Sequence, residues 1–205
     1  SSAASDVYKR QIVETLGVVV EEARLDFGED GLSVRVVDPS HVAMIKMDVD
    51  SAAFETWEVD ETKLGLEMRK MHQFLSVAGA GDMVELAYND ESGQATIHIG
   101  RIDLNLRPLD NSTLNPPNVP SLELPCGVTI GGSELAQALR AAKLVGDLVN
   151  LSLTEDTFTV NVKGSTDSVN LDFTKDDLHA IDCKEAARSQ YSLTYLTPLA
   201  KIFQG

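Results

Sequence analysis

The chain alternates apolar and polar residues in short segments, and the clearest example runs from Gly31 to Lys46. Apolar side chains recur at every second position from Leu32 to Val36, the spacing of a strand with one face on a core. Asp38-Pro39-Ser40 interrupts the pattern, because proline fixes its backbone angle and has no N–H to donate. An extended apolar run resumes from Val42 to Val49. The segment therefore predicts two strands around a short turn, with His41 at the surface.

The same periodicities predict the remaining elements. Spacings of three and four predict helices over Ile12–Glu22, Met68–Ala78 and Ser133–Val145, with Ser133 as the N-cap of the third. A last helix has Leu196, Leu199, Ala200 and Phe203 on its apolar face. Further strands are predicted over Arg24–Phe27, Leu64–Leu66, Met83–Tyr88, Ala95–Ile99, Ile102–Leu109, Gly127–Ile130, Val149–Leu153, Phe158–Val162 and Val169–Phe173.

A proline-rich stretch over residues 111–125 divides the chain, and the order of elements restarts after it. The two halves overlay at an offset of 126 residues, which places Leu25 on Leu151 and Phe27 on Leu153. This pattern is typical of a tandem duplication. It predicts an α+β protein of two similar domains, residues 12–110 and 126–205, each with helices on one face of antiparallel sheets.

The two ends of the chain depart from this repeat. The opening SSAASDVYKRQ, residues 1–11, is rich in Ser and Ala, and we treat it as an atypical, non-native leader outside the fold. Residues 80–109 have no counterpart in the second half. We therefore expect the second domain to be incomplete, without its last strands.

Charge limits the partners that the chain can bind. It carries 32 acidic and 17 basic residues, a net charge of −15, so contact with DNA requires a local basic surface. No apolar run reaches the roughly 18 residues that cross a membrane, which predicts no membrane partner. Cys126 and Cys183 lack the spacing of metal ligands, and two buried thiols in a reducing cytosol are expected.

No catalytic constellation appears in the sequence. A phosphate-cradling glycine loop, an HExxH motif, a cysteine cluster and a GxSxG motif are all absent. The four histidines, His41, His72, His98 and His179, fall at unrelated positions, and the carboxylates lie mostly in turns. The sequence predicts neither an enzyme nor a cofactor.

The helices carry a more specific signal. On each of three predicted helices, basic side chains lie opposite the apolar face: Arg69, Lys70, Arg140, Lys143 and Lys201. The first helix differs, because its region holds Glu14, Glu21 and Glu22 and only Lys9 and Arg10 as cations. Solvated helix faces would explain each cation alone. Together they indicate one basic surface suited to phosphates rather than to bases.

Several motifs resemble sliding DNA clamps of the proliferating-cell-nuclear-antigen (PCNA) type, especially archaeal ones. The segment Leu32–Ile45, LSVRVVDPSHVAMI, resembles the signature of that family, and Pro116–Pro125, PPNVPSLELP, resembles its interdomain connector. The segments Ala141–Asp147, Ser192–Leu196 and Arg101–Asp103 also fit. The first helix departs from the family, whose first helix is basic.

The resemblance implies a non-catalytic ring of three protomers that encircles duplex DNA without reading its sequence. By position, Arg140 and Lys201 match cations that line the channel in this family, and the further candidates for DNA contact are Lys143, Arg69 and Lys70. Peptides of DNA polymerase, clamp loader, ligase and nuclease would dock at Val37, His41, Val42, Pro117 and Val119. Protomers would join strand to strand through Ile102, Leu104, Leu106 and the neighbour's Val169, Leu171 and Phe173. The implied location is the cytoplasm of an archaeon, associated with the nucleoid.

Two other functions compete with this prediction. One is a scaffold or paralogue of the clamp fold that docks partner proteins without encircling DNA. The other is a small-molecule enzyme with a duplicated α+β fold, which requires a deep polar pocket with converging titratable groups. Loss of the helix cations separates the first alternative from a clamp, and the cavities of the structure bear on the second.

Overall fold

The computed structural model describes residues 2–204, with side chains from residue 9 onward. The chain divides into two compact units, unit 1 over Ser1–Val119 and unit 2 over Pro120–Gly205. The division falls inside the proline-rich stretch that the sequence predicts as a connector.

Unit 1 is built from two helices and two antiparallel sheets in its described residues. Its elements are β1 (Ser2–Ser5), α1 (Asp6–Gly17), β2 (Glu22–Gly28), β3 (Gly31–Val37), β4 (Met44–Asp50), β5 (Thr56–Trp57), β6 (Thr62–Glu67), α2 (Met68–Leu75), β7 (Met83–Asn89), β8 (Gln94–Ile99) and β9 (Ile102–Leu106). The strands pair in the orders β4-β3-β2-β6 and β5-β1-β7-β8-β9. Both helices and both sheets contribute to one core, in which Leu16, Val34, Leu66 and Leu75 are almost fully buried, as are Val84 and Ile97.

The alternation in the sequence decides which face of each strand is buried. Along β3 every second residue is buried, with Leu32, Val34 and Val36 on the core face. The turn before β3 requires glycine, because Gly31 has a φ of 143° and a Cβ there would lie 2.1 Å from the Val49 carbonyl oxygen. That turn fixes the register of the β2–β3 hairpin, in which Leu25 faces Val34.

Unit 2 repeats most of this order. Its elements are β10 (Cys126–Thr129), α3 (Gly132–Lys143), β11 (Leu148–Leu153), β12 (Thr157–Lys163), β13 (Ser168–Thr174), β14 (Ala180–Cys183), β15 (Ala187–Ser192) and α4 (Leu193–Ile202). The strands pair as β13-β12-β11-β15 and β10-β14. Helices α3 and α4 and the four-stranded sheet share a core around Leu139, Val149, Val160 and Leu193. The bounds of α3 and β12 equal those of α1 and β3 shifted by 126 residues.

Several predicted boundaries are wrong, and each has a local reason. Residues 2–5 belong to the fold as β1, which pairs with β5 and β7, so the exclusion of the first 11 residues is not supported. Helix α1 begins at Asp6 and ends at Gly17, whereas the sequence predicts a helix over Ile12–Glu22. Ser133 lies inside α3, whose N-cap is Gly131. Phe203 follows the end of α4 and is 58% exposed, so it is not on the helix's apolar face.

The cysteine prediction is also wrong. Cys126 and Cys183 face each other across β10 and β14 and form a disulfide, and neither is fully buried. Ala180–Cys183 is not among the strands that the sequence pattern predicts. Without β14, a separation of 57 residues gives no reason to bring the two sulfurs together.

Candidate functional site

Five exposed cations lie on three helices, as the sequence predicts. Arg69 and Lys70 are exposed on α2, on the side opposite the buried Met68, Met71 and Leu75. Arg140 and Lys143 are exposed on α3, and Lys201 is exposed on α4. Each unit therefore presents a basic helical surface of its own, despite the net charge of −15.

The cations occupy opposite ends of their helices in the two units. Arg69 and Lys70 lie in the first turn of α2, where the positive end of the helix dipole disfavours them. Arg140 and Lys143 lie in the last turn of α3 and Lys201 in the last turn of α4, where the dipole favours them. Helix stability therefore accounts for the cations of unit 2 but not for those of unit 1.

Contacts of these side chains are few and exposed. Lys143 forms an ion pair with Asp147, one turn further along the chain. Arg140 donates a hydrogen bond of 3.4 Å to Gln204, and the Lys70 ammonium lies 6.0 Å from the centre of the Phe74 ring. Exposed pairs of this kind contribute little free energy and exchange readily for phosphate oxygens.

Helix α1 adds no exposed cation between residues 9 and 17. Lys9 is buried, and desolvation lowers its pKa to about 7 although the nearby Glu85 carboxylate opposes the shift. Arg10 donates hydrogen bonds to the Leu75 and Ala78 carbonyl oxygens, 3.3 and 3.4 Å away, and so binds the C-terminal end of α2. The imidazole of His72 lies 3.2 Å from the Glu14 carboxylate. These contacts hold α1 against α2 rather than presenting charge to a ligand.

The loop after β3 is organised by a buried carboxylate. Asp38 is 2% exposed, and its side chain accepts hydrogen bonds from the backbone N–H groups of Ser40, Val42 and Ala43 at 2.9, 2.6 and 2.7 Å. The chain turns tightly over it, and His41 takes a left-handed backbone with φ of 56°. As a result His41 and Val42 point outward, and Val42 is 65% exposed.

A groove of about 160 Å³ lies beside this loop, between the start of the connector and the sheet of β2 and β3. It brings together two of the five predicted docking residues, Val37 and Pro117. The guanidinium-bearing Arg24 and Arg35 also line it. The other three docking positions, His41, Val42 and Val119, are exposed but do not line the groove.

The strands predicted to join protomers are edge strands. In the described residues, β9 ends one sheet of unit 1 and β13 ends the larger sheet of unit 2. Side chains on these strands differ in exposure: Ile102 is 41% exposed, Leu104 is half-buried and Leu106 is buried, while Val169, Leu171 and Phe173 are half-buried. Leu171 and Phe173 pack against their own core. Contact with a neighbour would therefore run mainly through the backbone.

The predicted extent of the first of these strands is wrong. β9 ends at Leu106 rather than Leu109, because Leu109 turns away to form an isolated bridge with Gly65. The Leu109 backbone lies so close to Gly65 that a Cβ on Gly65 would meet the Leu109 carbonyl oxygen at 3.0 Å. The edge available for pairing is thus five residues long.

Two other cavities lie in the described part of unit 1. A cavity of about 50 Å³ in the core of unit 1 is lined by apolar side chains and Lys9. A second, of about 170 Å³, lies near Glu58, Asp60 and Asp90. Among the residues that the structure describes, no group of three or more His, Cys, Asp or Glu side chains is arranged to bind a metal ion. No helix in the described range is long and apolar enough to cross a membrane.

Comparison with known proteins agrees with this architecture. Residues 3–103 match the family model described as the proliferating cell nuclear antigen, N-terminal domain. The DNA polymerase sliding clamp of Methanococcoides burtonii is 36% identical over 202 residues, which cover 97% of this chain and 82% of the relative.

Solved structures give the same fold. A structure of A. fulgidus PCNA with the C-terminal region of FEN-1 bound superposes with a TM-score of 0.92 and 28% identity, covering 98% of this chain and 82% of that one. PCNA from Thermococcus kodakaraensis superposes with a TM-score of 0.91 at 22% identity, over 98% of this chain and 84% of that chain, and shows the fold alone.

The fold is therefore the α+β clamp fold, with two similar domains. The chain belongs to the PCNA family of DNA polymerase sliding clamps. The resemblance seen in the sequence is confirmed.

Proposed function

We propose that this chain is a protomer of a sliding clamp, a ring that encircles duplex DNA and tethers replication and repair enzymes to it. The observation that carries the proposal is the set of five exposed helix cations on a chain whose net charge is −15. A surface that is basic on the helices and acidic elsewhere favours contact with DNA only where the helices meet it.

Contact with DNA is proposed for Arg69, Lys70, Arg140, Lys143 and Lys201. Flexible lysine and arginine side chains on helices suit phosphate oxygens and give no sequence readout. Few, exposed contacts also suit a protein that slides, because each phosphate contact is weak and easily replaced by the next. The binding mode is therefore sequence-independent and strongly salt-dependent.

Docking of partner peptides is proposed at the loop after β3 and the connector. Val37 and Pro117 line the groove there, and His41, Val42 and Val119 expose side chains around it. The A. fulgidus relative binds the C-terminal region of FEN-1, which supports peptide docking in this chain as well. The partners proposed are polymerase, clamp loader, ligase and nuclease segments, each raised in local concentration by the ring.

Assembly is proposed to join β9 of one protomer to β13 of the next. Both are antiparallel edge strands with unused backbone donors and acceptors on their outer sides in the described structure. Such a contact uses different surfaces on the two protomers, so it closes into a ring when the rotation per protomer allows, here into a trimer. The clamp is proposed to act without catalysis or a cofactor, in the cytoplasm at the nucleoid.

Charge reversal tests the proposal directly. Arg140→Glu, Lys143→Glu and Lys201→Glu combined should abolish retention on nicked circular DNA and clamp-dependent synthesis by a cognate polymerase. A matched control reverses three exposed cations away from the helix faces, Lys163, Lys184 and Arg188, and should keep both activities.

The salt dependence of binding gives a second measure. Each phosphate contact that is lost should lower the slope of log affinity against log salt by about 1. Synthesis that is unchanged by the helix triple variant, with the mass in solution also unchanged, would contradict DNA encirclement. That result would favour a scaffold that docks partners away from DNA.

A further inference from the structure

A cysteine pair at the start of unit 2 takes no part in the function proposed above. Cys126 is the first residue of β10 and Cys183 the last residue of β14, and the disulfide between them has its Cα atoms 4.1 Å apart. We propose that the pair is a reversible dithiol–disulfide switch that fastens or releases the β10–β14 ladder.

The register of the β10–β14 ladder places the two cysteine side chains directly opposite each other, close enough to form a bond. The backbone N–H of Lys184 donates to the Pro125 carbonyl oxygen at 3.1 Å, one residue beyond the cysteines on each strand. Cys126 and Cys183 therefore occupy a non-hydrogen-bonded pair, the kind in which opposite side chains approach most closely. Formation of the bond does not require the two strands to change partners.

The reduced pair also has a hydrogen-bond acceptor close to both sulfurs. The Cys126 sulfur lies 3.0 Å and the Cys183 sulfur 3.2 Å from the Glu185 carbonyl oxygen. After reduction a thiol of either residue can donate to that oxygen, because a thiol is a weak hydrogen-bond donor. Both redox states thus use the same backbone positions.

Small redox molecules have access to the pair. Both cysteines are partly exposed, and Leu122 and Leu124 in the segment before β10 are 70% and 75% exposed. Oxidation by glutathione disulfide proceeds in two exchange steps. One cysteine thiolate displaces a glutathione to give a mixed disulfide, and the second cysteine thiolate then displaces the other. The two thiols lose two electrons and two protons, and two molecules of reduced glutathione leave; reduction runs the same steps backwards.

The bond joins β10 directly to β14, the strand that pairs with it. It closes a 57-residue separation that includes α3 and β11–β13, so it restricts the unfolded chain strongly. Reduction should therefore loosen β10 and the end of the connector held by Lys184.

The proposed function includes a cytoplasmic location, and in that compartment a reversible switch is favoured over a permanent bond. Disulfides in reducing compartments are mostly transient, and glutathione and thioredoxin keep most thiols reduced there. A partly exposed cross-strand pair in such a compartment is expected to follow the redox state of the cell rather than to stay oxidised.

A redox titration of the wild-type chain tests this inference. The chain is equilibrated in buffers of varied reduced-to-oxidised glutathione ratio, the free thiols are alkylated, and the mass gives the oxidised fraction. We expect full and reversible conversion within the series. Reduction should also lower the melting temperature of unit 2, followed by circular dichroism, by about 10 °C, and should speed hydrogen exchange in β10.

The control is the Cys126→Ser/Cys183→Ser double variant, which should melt like the reduced wild type and ignore the glutathione ratio. Trp57, the one tryptophan of the chain, lies in unit 1. Its fluorescence should therefore not respond to the glutathione ratio. A pair that stays oxidised in reduced glutathione alone, or stays reduced in glutathione disulfide alone, overturns the switch. Unchanged exchange in β10 on reduction overturns it too. None of these measurements involves DNA or a ring, so the result stands apart from the proposed clamp function.

Discussion

The two units have the same order of elements but bury corresponding strand residues to different depths. Leu66 on β6 pairs with Ala23, and Tyr191 on β15 pairs with Val149, the residue 126 positions after Ala23. Leu66 is 2% exposed and Tyr191 is 44% exposed. In unit 1 this position lies under a five-stranded second sheet. The repeat thus specifies the strand, and the surrounding elements specify how deeply it is buried.

The same comparison separates architecture from function. The helices α1 and α3 have equal lengths and matching places in the repeat, yet α1 uses its cations internally while α3 exposes them. The hairpin after β3 is built around Asp38, and the corresponding hairpin after β12 closes with a hydrogen bond of 2.8 Å from the Gly164 N–H to the Asp167 carbonyl oxygen. The exposed cations of α3 and the loop after β3 differ between the copies, and a function is proposed for both.

The largest expected effect comes from truncating the buried member of the matched pair. Leu66→Ala should lower the free energy of unfolding of unit 1 by about 3 kcal/mol, because it removes buried apolar surface and leaves a cavity. Tyr191→Ala, at the equivalent position of unit 2, should cost less than about 1 kcal/mol. Denaturant titration followed by Trp57 fluorescence measures the first, and hydrogen exchange in β11 and β15 measures the second. Equal losses of unfolding free energy in the two variants would contradict the difference in burial between Leu66 and Tyr191.

A buried lysine provides the next comparison. Lys9 on α1 corresponds to Leu135 on α3, which packs against the core of unit 2. Burial holds the pKa of Lys9 at about 7, below its usual 10.5, so folding disfavours its charged form. Between these two values the unfolded chain binds more protons than the folded chain, so this lysine makes stability rise as the pH increases from about 7 to about 10.5.

Lys9→Leu should remove that rise and make unit 1 resemble unit 2. We expect a gain of about 2 kcal/mol at pH 7, reduced from the full charging cost because Glu85 loses its cationic neighbour. The measurement is the free energy of unfolding from pH 7 to 10, followed by Trp57 fluorescence. An exposed lysine variant, Lys63→Leu, serves as the control. The same pH slope in wild type and Lys9→Leu would contradict burial of the charge.

How far sequence predicts structure also differs between these features. The alternation of Leu32, Val34 and Val36 predicts β3 and its core face, because burial follows a period of two wherever one face is covered. The exposed cations of α2, α3 and α4 follow from helical periodicity in the same way. Long-range contacts cannot be predicted in this way. Local sequence gives no indication that Arg10 binds the end of α2 or that Cys183 pairs with Cys126.

The loop of unit 1 shows where composition misleads. Aspartate beside proline is typical of an exposed turn, yet Asp38 is buried, because its carboxylate replaces a missing backbone partner for three N–H groups. The surface position of His41 could be predicted from the sequence. The prediction that a strand begins at Val42 is wrong, because Val42 lies in the turn and β4 begins at Met44. The dependence of both residues on Asp38 could not be predicted, because it arises from the closed turn.

Asp38→Asn tests that dependence, with an exposed aspartate in the corresponding hairpin of the other copy as the control. The amide keeps the size of the side chain but accepts fewer and weaker hydrogen bonds, so unit 1 should lose about 1–2 kcal/mol. The affinity for a partner peptide, measured by calorimetry, should fall by roughly tenfold as the loop loses its shape. Asp167→Asn, in the exposed hairpin of unit 2, should change neither quantity. Full peptide affinity in Asp38→Asn would show that the loop geometry is not used in docking.

The smallest effects concern the helix cations, and they are expected to have opposite signs in the two units. Arg69→Ala with Lys70→Ala removes positive charge from the first turn of α2, so it should stabilise unit 1 by about 0.5 kcal/mol at low salt. Arg140→Ala with Lys143→Ala removes charge from the last turn of α3 and breaks the ion pair with Asp147, so it should destabilise unit 2 by a similar amount. Both variants should nevertheless weaken DNA retention, since each removes two proposed phosphate contacts. Stability is measured by thermal melting at low and high salt, because screening should cancel both shifts. If the α2 variant gains stability and keeps full retention, its cations are not explained by DNA contact, and the basic surface would belong to unit 2 alone.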